Sequence, residues 1–173
     1  MSSEYEYDKS SKKVNVMNKT NFEKVKDFCK CAGHPVHTEH QLNIFDEHPE
    51  IVDLRLKLIQ EEVSELEQAI KDKNFTEVID ALSDILYVTY GAFASYGISG
   101  DETFNLVHES NMTKFCKTEE EAKESVEWYK ENEKRYDDPT YRKAENGEYW
   151  ILYNRSSNKI LKSKYYKPVK FNL

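Results

Sequence analysis

The sequence predicts an all-α protein, a bundle of four or five helices followed by a small C-terminal β-hairpin or extended tail. Three observations carry this expectation. Apolar residues recur at helical spacing over long stretches. Only five Gly and four Pro interrupt 173 residues. The strand-like stretch EYWILY falls late, at 148–153, with a turn (Arg155, Ser156, Ser157, Asn158) behind it.

The elements follow in order. Residues 1–19 are polar, carry no apolar core of the signal-peptide kind, and are expected to be disordered. Thr20 and Asn21 cap a first helix that carries Phe22, Val25, Phe28 and Cys29. Gly33 and Pro35 stop it, and 33–50 reads as a His-rich loop. A helix over about 50–72 starts at Pro49, and another over about 75–96 ends at Gly97. The second of these is apolar on most sides, which places it centrally, facing another subunit. Ser99 or Asp101 caps the next helix, with Phe104, Val107 and Met112 on its apolar side. Thr118 followed by three Glu opens a charged helix to about 135, which Asp138 and Pro139 break. Residues 159–164 are expected to return as a second strand. The domain reading is therefore a disordered 1–19, a helical core over 20–116, and a C-terminal helix with a basic hairpin or tail over 117–173.

Bulk properties exclude some classes. A net charge of −7 argues against a surface that wraps nucleic acid. No apolar run approaches the ~20 residues that span a bilayer. An odd count of three Cys argues against a disulfide framework and fits a reducing, cytoplasmic setting. The tail is locally basic: from Trp150 onward there are six Lys or Arg and no acid.

Two adjacent helical segments carry carboxylate clusters. Glu61, Glu62 and Glu65 lie in LRLKLIQEEVSELEQAI, and Asp80 and Asp84 in EVIDALSDILYVTYGAF. Spacings of three and four let each set lean to one side, and an antiparallel pair of helices would bring the sets face to face. Like charges so grouped destabilise a bare helix. A divalent cation with oxygen ligands removes that cost, and Mg²⁺ is the usual one where a substrate brings phosphates, with Mn²⁺ as substitute. The bland alternative is a solvated acidic face, but Asp84 followed by Ile-Leu-Tyr-Val is not a solvated position.

LRLKLIQEEVSEL, DALSDILYVTYGAFASYGI and FNLVHESNMTKF, in this order, resemble the MazG-like all-α nucleotide pyrophosphohydrolases. The nearest branch is that of phosphoribosyl-ATP pyrophosphohydrolase and the dimeric dUTPases. The resemblance spans roughly 20–116, with a weaker echo in ILKSKYYKP. It implies Mg²⁺-dependent hydrolysis of a nucleoside triphosphate to the monophosphate and pyrophosphate, serving nucleotide-pool cleansing. It assigns Glu62, Glu65, Asp80 and Asp84 to the metal and Glu61 to the base that orients water. Asn111 and Lys114, with His108 on the same helix, would face the nucleotide, as could Arg55, Lys57 and Tyr87. The family pattern is EExxE followed by ExxD, and the second Glu is Ala81 here; Asp80 is its natural replacement and Glu77 the second choice. A homodimer or homotetramer is expected, because one chain has too few helices to enclose the apolar 79–93 segment.

Other readings are a zinc-binding module using Cys29, Cys31, His34, His37, His40 and His48, and a helical regulator that lost turnover, which Ala81 favours. The Cys and His spacing is not that of a zinc finger. Nothing in the sequence identifies the base, and the region beyond 117 argues against a dedicated histidine-pathway enzyme.

Overall fold

The structure is a computed structural model that describes residues 19–172. Apart from Lys19, the segment expected to be disordered lies outside the described residues. Two compact units divide the chain, one up to Gly100 and one from Asp101 on.

The first unit is helical: α1 (Asn21–Cys31), α2 (Ile44–Glu47), α3 (Pro49–Lys71) and α4 (Phe75–Tyr96). Thr20 starts α1 with a capping box, its hydroxyl accepting from the Glu23 amide while the Glu23 carboxylate takes the Thr20 amide at 2.7 Å. Three residues join α3 to α4, with Lys73 at φ 54 and Asn74 capping α4. A turn that short makes α3 and α4 an antiparallel hairpin, and α1 packs against α4 and α2 against α3. Gly97 ends α4 at φ 68, where a Cβ would stand 1.8 Å from the Glu39 carbonyl oxygen. The His-rich loop is tied to this end of α4, with the His37 amide donating to the Ala94 carbonyl and the Gln41 amide to that of Tyr96. The loop also contains α2, a four-residue helical turn where the sequence predicts irregular chain.

The seam between α3 and α4 is unusual in composition. On α3 the buried residues are Arg55 and Ala69, with the half-buried Glu62 midway between them at seven-residue spacing. Leu56, Val63 and Ile70, each one position further on, are exposed. On α4, Ala81, Gly91, Ala92 and Ser95 are buried, while Phe75, Ile79, Leu82 and Leu86 form an exposed 4-3-4 stripe. The fully buried residues of the hairpin are thus small or polar, and these rows of large apolar residues face outward.

The second unit holds nearly all of α5 (Gly100–Met112), then α6 (Glu119–Asn132), β1 (Pro139–Lys143), β2 (Trp150–Asn154) and β3 (Lys159–Ile160). The strands form one antiparallel sheet in the order β1-β2-β3, and Pro139 pairs with Asn154. Its core is Cys116, Ala122, Val126, Tyr129, Leu152 and Leu161, closed by Tyr136, Tyr141 and Trp150. Strand β1 was not anticipated from the sequence. It exists because β2 supplies a partner and because buried Asn154 holds the chain ahead of it, donating to Asp137 at 2.9 Å and accepting from the Asp138 amide at 3.0 Å.

The returning strand is shorter than the expected 159–164. After Leu161 the backbone turns to the helices instead: the Ser163 amide donates to the Lys114 carbonyl (2.9 Å), the Lys164 amide to Ser125 Oγ (3.1 Å) and the Lys167 amide to Thr113 Oγ1 (2.9 Å). The N-terminal cap of α6 is also rearranged. Thr118 Oγ1 accepts from the Glu121 amide, but the Glu121 carboxylate takes the Lys117 amide. No described helix is long and apolar enough to cross a membrane, and all three Cys are free thiols.

Candidate active site

The α3–α4 hairpin gathers the acidic residues. Glu62 is on the inward side of α3, and its carboxyl is held above its ordinary value. Partial burial is the first cause, followed by the negative charges of Glu65, Asp84, Glu61 and Asp80. Two of those four lie on the facing helix, so the two clusters occupy one electrostatic neighbourhood. Asp84 is half-buried, while Glu61, Glu65 and Asp80 are exposed. Glu61 has a cation one turn away, Lys57 at 3.5 Å. Ala81 is buried in the seam, 4% exposed, and Asp80 beside it carries the charge that reaches Glu62. Glu77 sits exposed in the first turn of α4.

Every donor in this group is a carboxylate oxygen, which is the ligand class of Mg²⁺ and Mn²⁺. Among the described residues no three Asp, Glu, His or Cys side chains are gathered tightly enough to hold a metal ion as they stand. The cluster is therefore an unsatisfied concentration of negative charge rather than a closed cage. Its chemistry fits a hard cation, and side-chain movement on exposed Glu61, Glu65 and Asp80 is what closure around one would require.

Tyr87 lies one turn beyond Asp84. Its ring meets Phe28 edge-on at 5.5 Å, and its hydroxyl is held above its ordinary value by burial, then by Cys29 and Asp84. Arg55 does not point outward with Lys57. It is 3% exposed, donates from Nε to Ser95 Oγ at 2.9 Å, and leaves Nη2 buried without a hydrogen-bond partner. Gly91 makes room for it, since a Cβ there would stand 2.9 Å from Nη1. An Arg beside Lys57 reads as surface; the signal missed in the sequence was the seven-residue spacing Arg55, Glu62, Ala69.

The His and Cys residues do not converge. Cys29 is buried and Cys31 exposed, His34 and His37 are half-buried, and His48 Nδ1 lies 3.3 Å from Glu50.

In the second unit, His108 and Asn111 are exposed on α5 and Lys114 follows in the turn behind it. Asn111 and Lys114 line a cavity of about 530 Å³ together with residues of the returning tail, Lys159 and Lys162 among them. The sequence placed Asn111 and Lys114 together by helical spacing, whereas the tail's part in this cavity was not legible.

The phosphoribosyl-ATP pyrophosphohydrolase family profile matches residues 25–111, half of the chain. An "uncharacterized protein L479" of Acanthamoeba polyphaga mimivirus is 30% identical, over 88% of this chain and 94% of that protein. The family match covers the hairpin with both acidic clusters and runs to Asn111, and on it the chain belongs to the phosphoribosyl-ATP pyrophosphohydrolase family, within the MazG-like superfamily.

Proposed function

We propose that this protein is a Mg²⁺-dependent pyrophosphohydrolase that cleaves a nucleoside triphosphate, ribo or deoxy, between the α- and β-phosphates, releasing the monophosphate and pyrophosphate. Family membership supports pyrophosphohydrolysis in general. The observation that carries the reading to this chain is the electrostatic position of Glu62, crowded by acids of both helices. Such crowding is costly in a resting protein and useful where a cation is recruited.

Glu62, Glu65, Asp80 and Asp84 would supply the oxygen donors. Bound Mg²⁺ would neutralise phosphate charge and lower the pKa of an attacking water. Glu61, exposed and paired with Lys57 one turn away, would orient the attacking water and take its proton. Tyr87 forms an aromatic wall with Phe28 beside Asp84. Arg55 sits inside the seam two turns from Glu62 on the same α3 face, held by Ser95.

The working form is a homodimer or homotetramer. Its support is the inverted hairpin, with the Leu56, Val63, Ile70 row and the α4 stripe exposed. Apolar rows at heptad-like spacing on adjoining helices are the surface that a second hairpin covers in a four-helix bundle.

The test is a panel of NTPs and dNTPs with Mg²⁺, scored for monophosphate and pyrophosphate, with Glu62→Gln beside the wild type. Release of both products, lost in the variant, supports the reading and ranks the bases. No turnover on any nucleotide, with Mn²⁺ also supplied, favours a helical regulator and makes Ala81 the residue to explain.

A further inference from the structure

We propose that the C-terminal tail completes an anion-binding pocket in the second unit, in which Lys159 and Lys162 act with Lys114 on the phosphate chain of a nucleotide. This deepens the proposed function and rests on it for the identity of the ligand.

The cavity of about 530 Å³ has Lys114, Lys159 and Lys162 around it, Asn111 at the end of α5, and Met112, Phe115 and Ile160 as apolar walls. Its size and mixed lining are those of a small-molecule site. Three lysine side chains thus line one concave surface. Among the described residues none of the three has a carboxylate within ion-pair distance, although Lys57, Lys123, Lys130 and Lys164 all do. Two of them rest on aromatic faces: Lys162 Nζ lies 4.4 Å from the Tyr166 ring centre and Lys159 Nζ 5.5 Å from that of Tyr136. Such contacts position a cation without neutralising it. The tail itself has no acid from Trp150 onward.

The pocket is built rather than incidental. The chain leaves the sheet at Leu161 and is fastened to the turn behind α5 through Ser163 to Lys114 and through Lys167 to Thr113, and to α5 itself by Ser110 Oγ donating to the Lys167 carbonyl at 2.8 Å. Those bonds hold the Lys159 and Lys162 stems against the end of α5. Lysines so placed without carboxylate partners favour an anion with several charges. A phosphate chain does this at spacings that three separate lysines can follow.

The experiment measures binding of inorganic triphosphate to the full chain by titration calorimetry in chelator, and the KM and kcat for the best nucleotide of the panel with Mg²⁺. Lys159→Gln/Lys162→Gln is compared with Lys159→Arg/Lys162→Arg and with Lys130→Gln as a remote control. The proposal expects saturable wild-type binding that weakens with salt, and a loss of roughly tenfold in the Gln pair, the order of one or two charge-assisted contacts. KM should rise in parallel with kcat little changed, and the Arg pair should retain binding. Thermal unfolding of each variant checks that the unit still folds. Wild-type turnover with unchanged triphosphate affinity and KM in the Gln pair overturns the pocket and leaves the function standing. Triphosphate binding without turnover on any nucleotide overturns the function and leaves the pocket. Absence of both overturns both.

Discussion

Removing one charge at the centre of the acidic cluster should stabilise the metal-free protein. Glu62→Gln keeps the shape of the side chain and deletes its charge. Glu62 is raised by partial burial and by Glu65, Asp84, Glu61 and Asp80. Like-charge neighbours at helical spacing cost ~0.2–0.5 kcal/mol each. Glu65 is the neighbour at that spacing, while Glu61 is adjacent and Asp84 and Asp80 act from the facing helix; with screening at the exposed groups the relief comes to about 1 kcal/mol. For a chain of this length that is a rise of ~2–4 °C in Tm. A carboxyl whose folded pKa lies above its ordinary 4.5 binds more protons in the native state, so native stability falls as pH rises through the window above 4.5. The advantage of the variant should therefore be small at pH 4 and complete at pH 8. Scanning calorimetry in chelator across that range measures it. Mg²⁺ should then raise the Tm of the wild type more than that of Glu62→Gln, because the added ion binds the native state. A variant that melts at or below the wild type in chelator at pH 8, or an offset independent of pH, refutes the view that the two clusters share one field.

Three further outcomes follow from the same structure. Ser95→Ala strips the buried Arg55 of the hydrogen bond on Nε and should cost ~1–3 kcal/mol in urea unfolding, whereas Arg55→Met with Ser95→Ala should recover much of it; a neutral single variant would contradict the buried contact. Gly97→Ala forces a Cβ onto the Glu39 carbonyl at positive φ and should cost ~1–3 kcal/mol, so a change below about 0.5 kcal/mol would mean the loop does not sit there. Leu82→Glu with Leu86→Glu should reduce the mass found by light scattering to that of one chain, and a wild type already at that mass removes the case for the oligomer.

Much of the first unit was readable in the sequence because its signals are local. Thr20, Asn74 and Gly97 mark helix ends by their own chemistry, and the long periodic runs leave little choice of element. The acidic clusters were readable for the same reason, since spacings of three and four fix a shared side of a helix whatever else the chain does. The elements that escaped depend on partners distant in sequence. α2 is a single turn, and β1 opens with Pro139 and has no apolar run of its own; it becomes a strand only because β2 and Asn154 hold it.

What the sequence alone determined is the helical class, the two carboxylate sets and the basic tail, all of which follow from short-range spacing and composition. Tertiary structure decided which of these groups are buried and which meet. It turned Arg55 inward onto Ser95 and left Leu56, Val63 and Ile70 outside, because Gly91 leaves the guanidinium space and Ser95 gives it a hydrogen-bond partner. It also brought Lys159 and Lys162 beside Lys114, more than forty residues away in sequence, through backbone hydrogen bonds that no local pattern records.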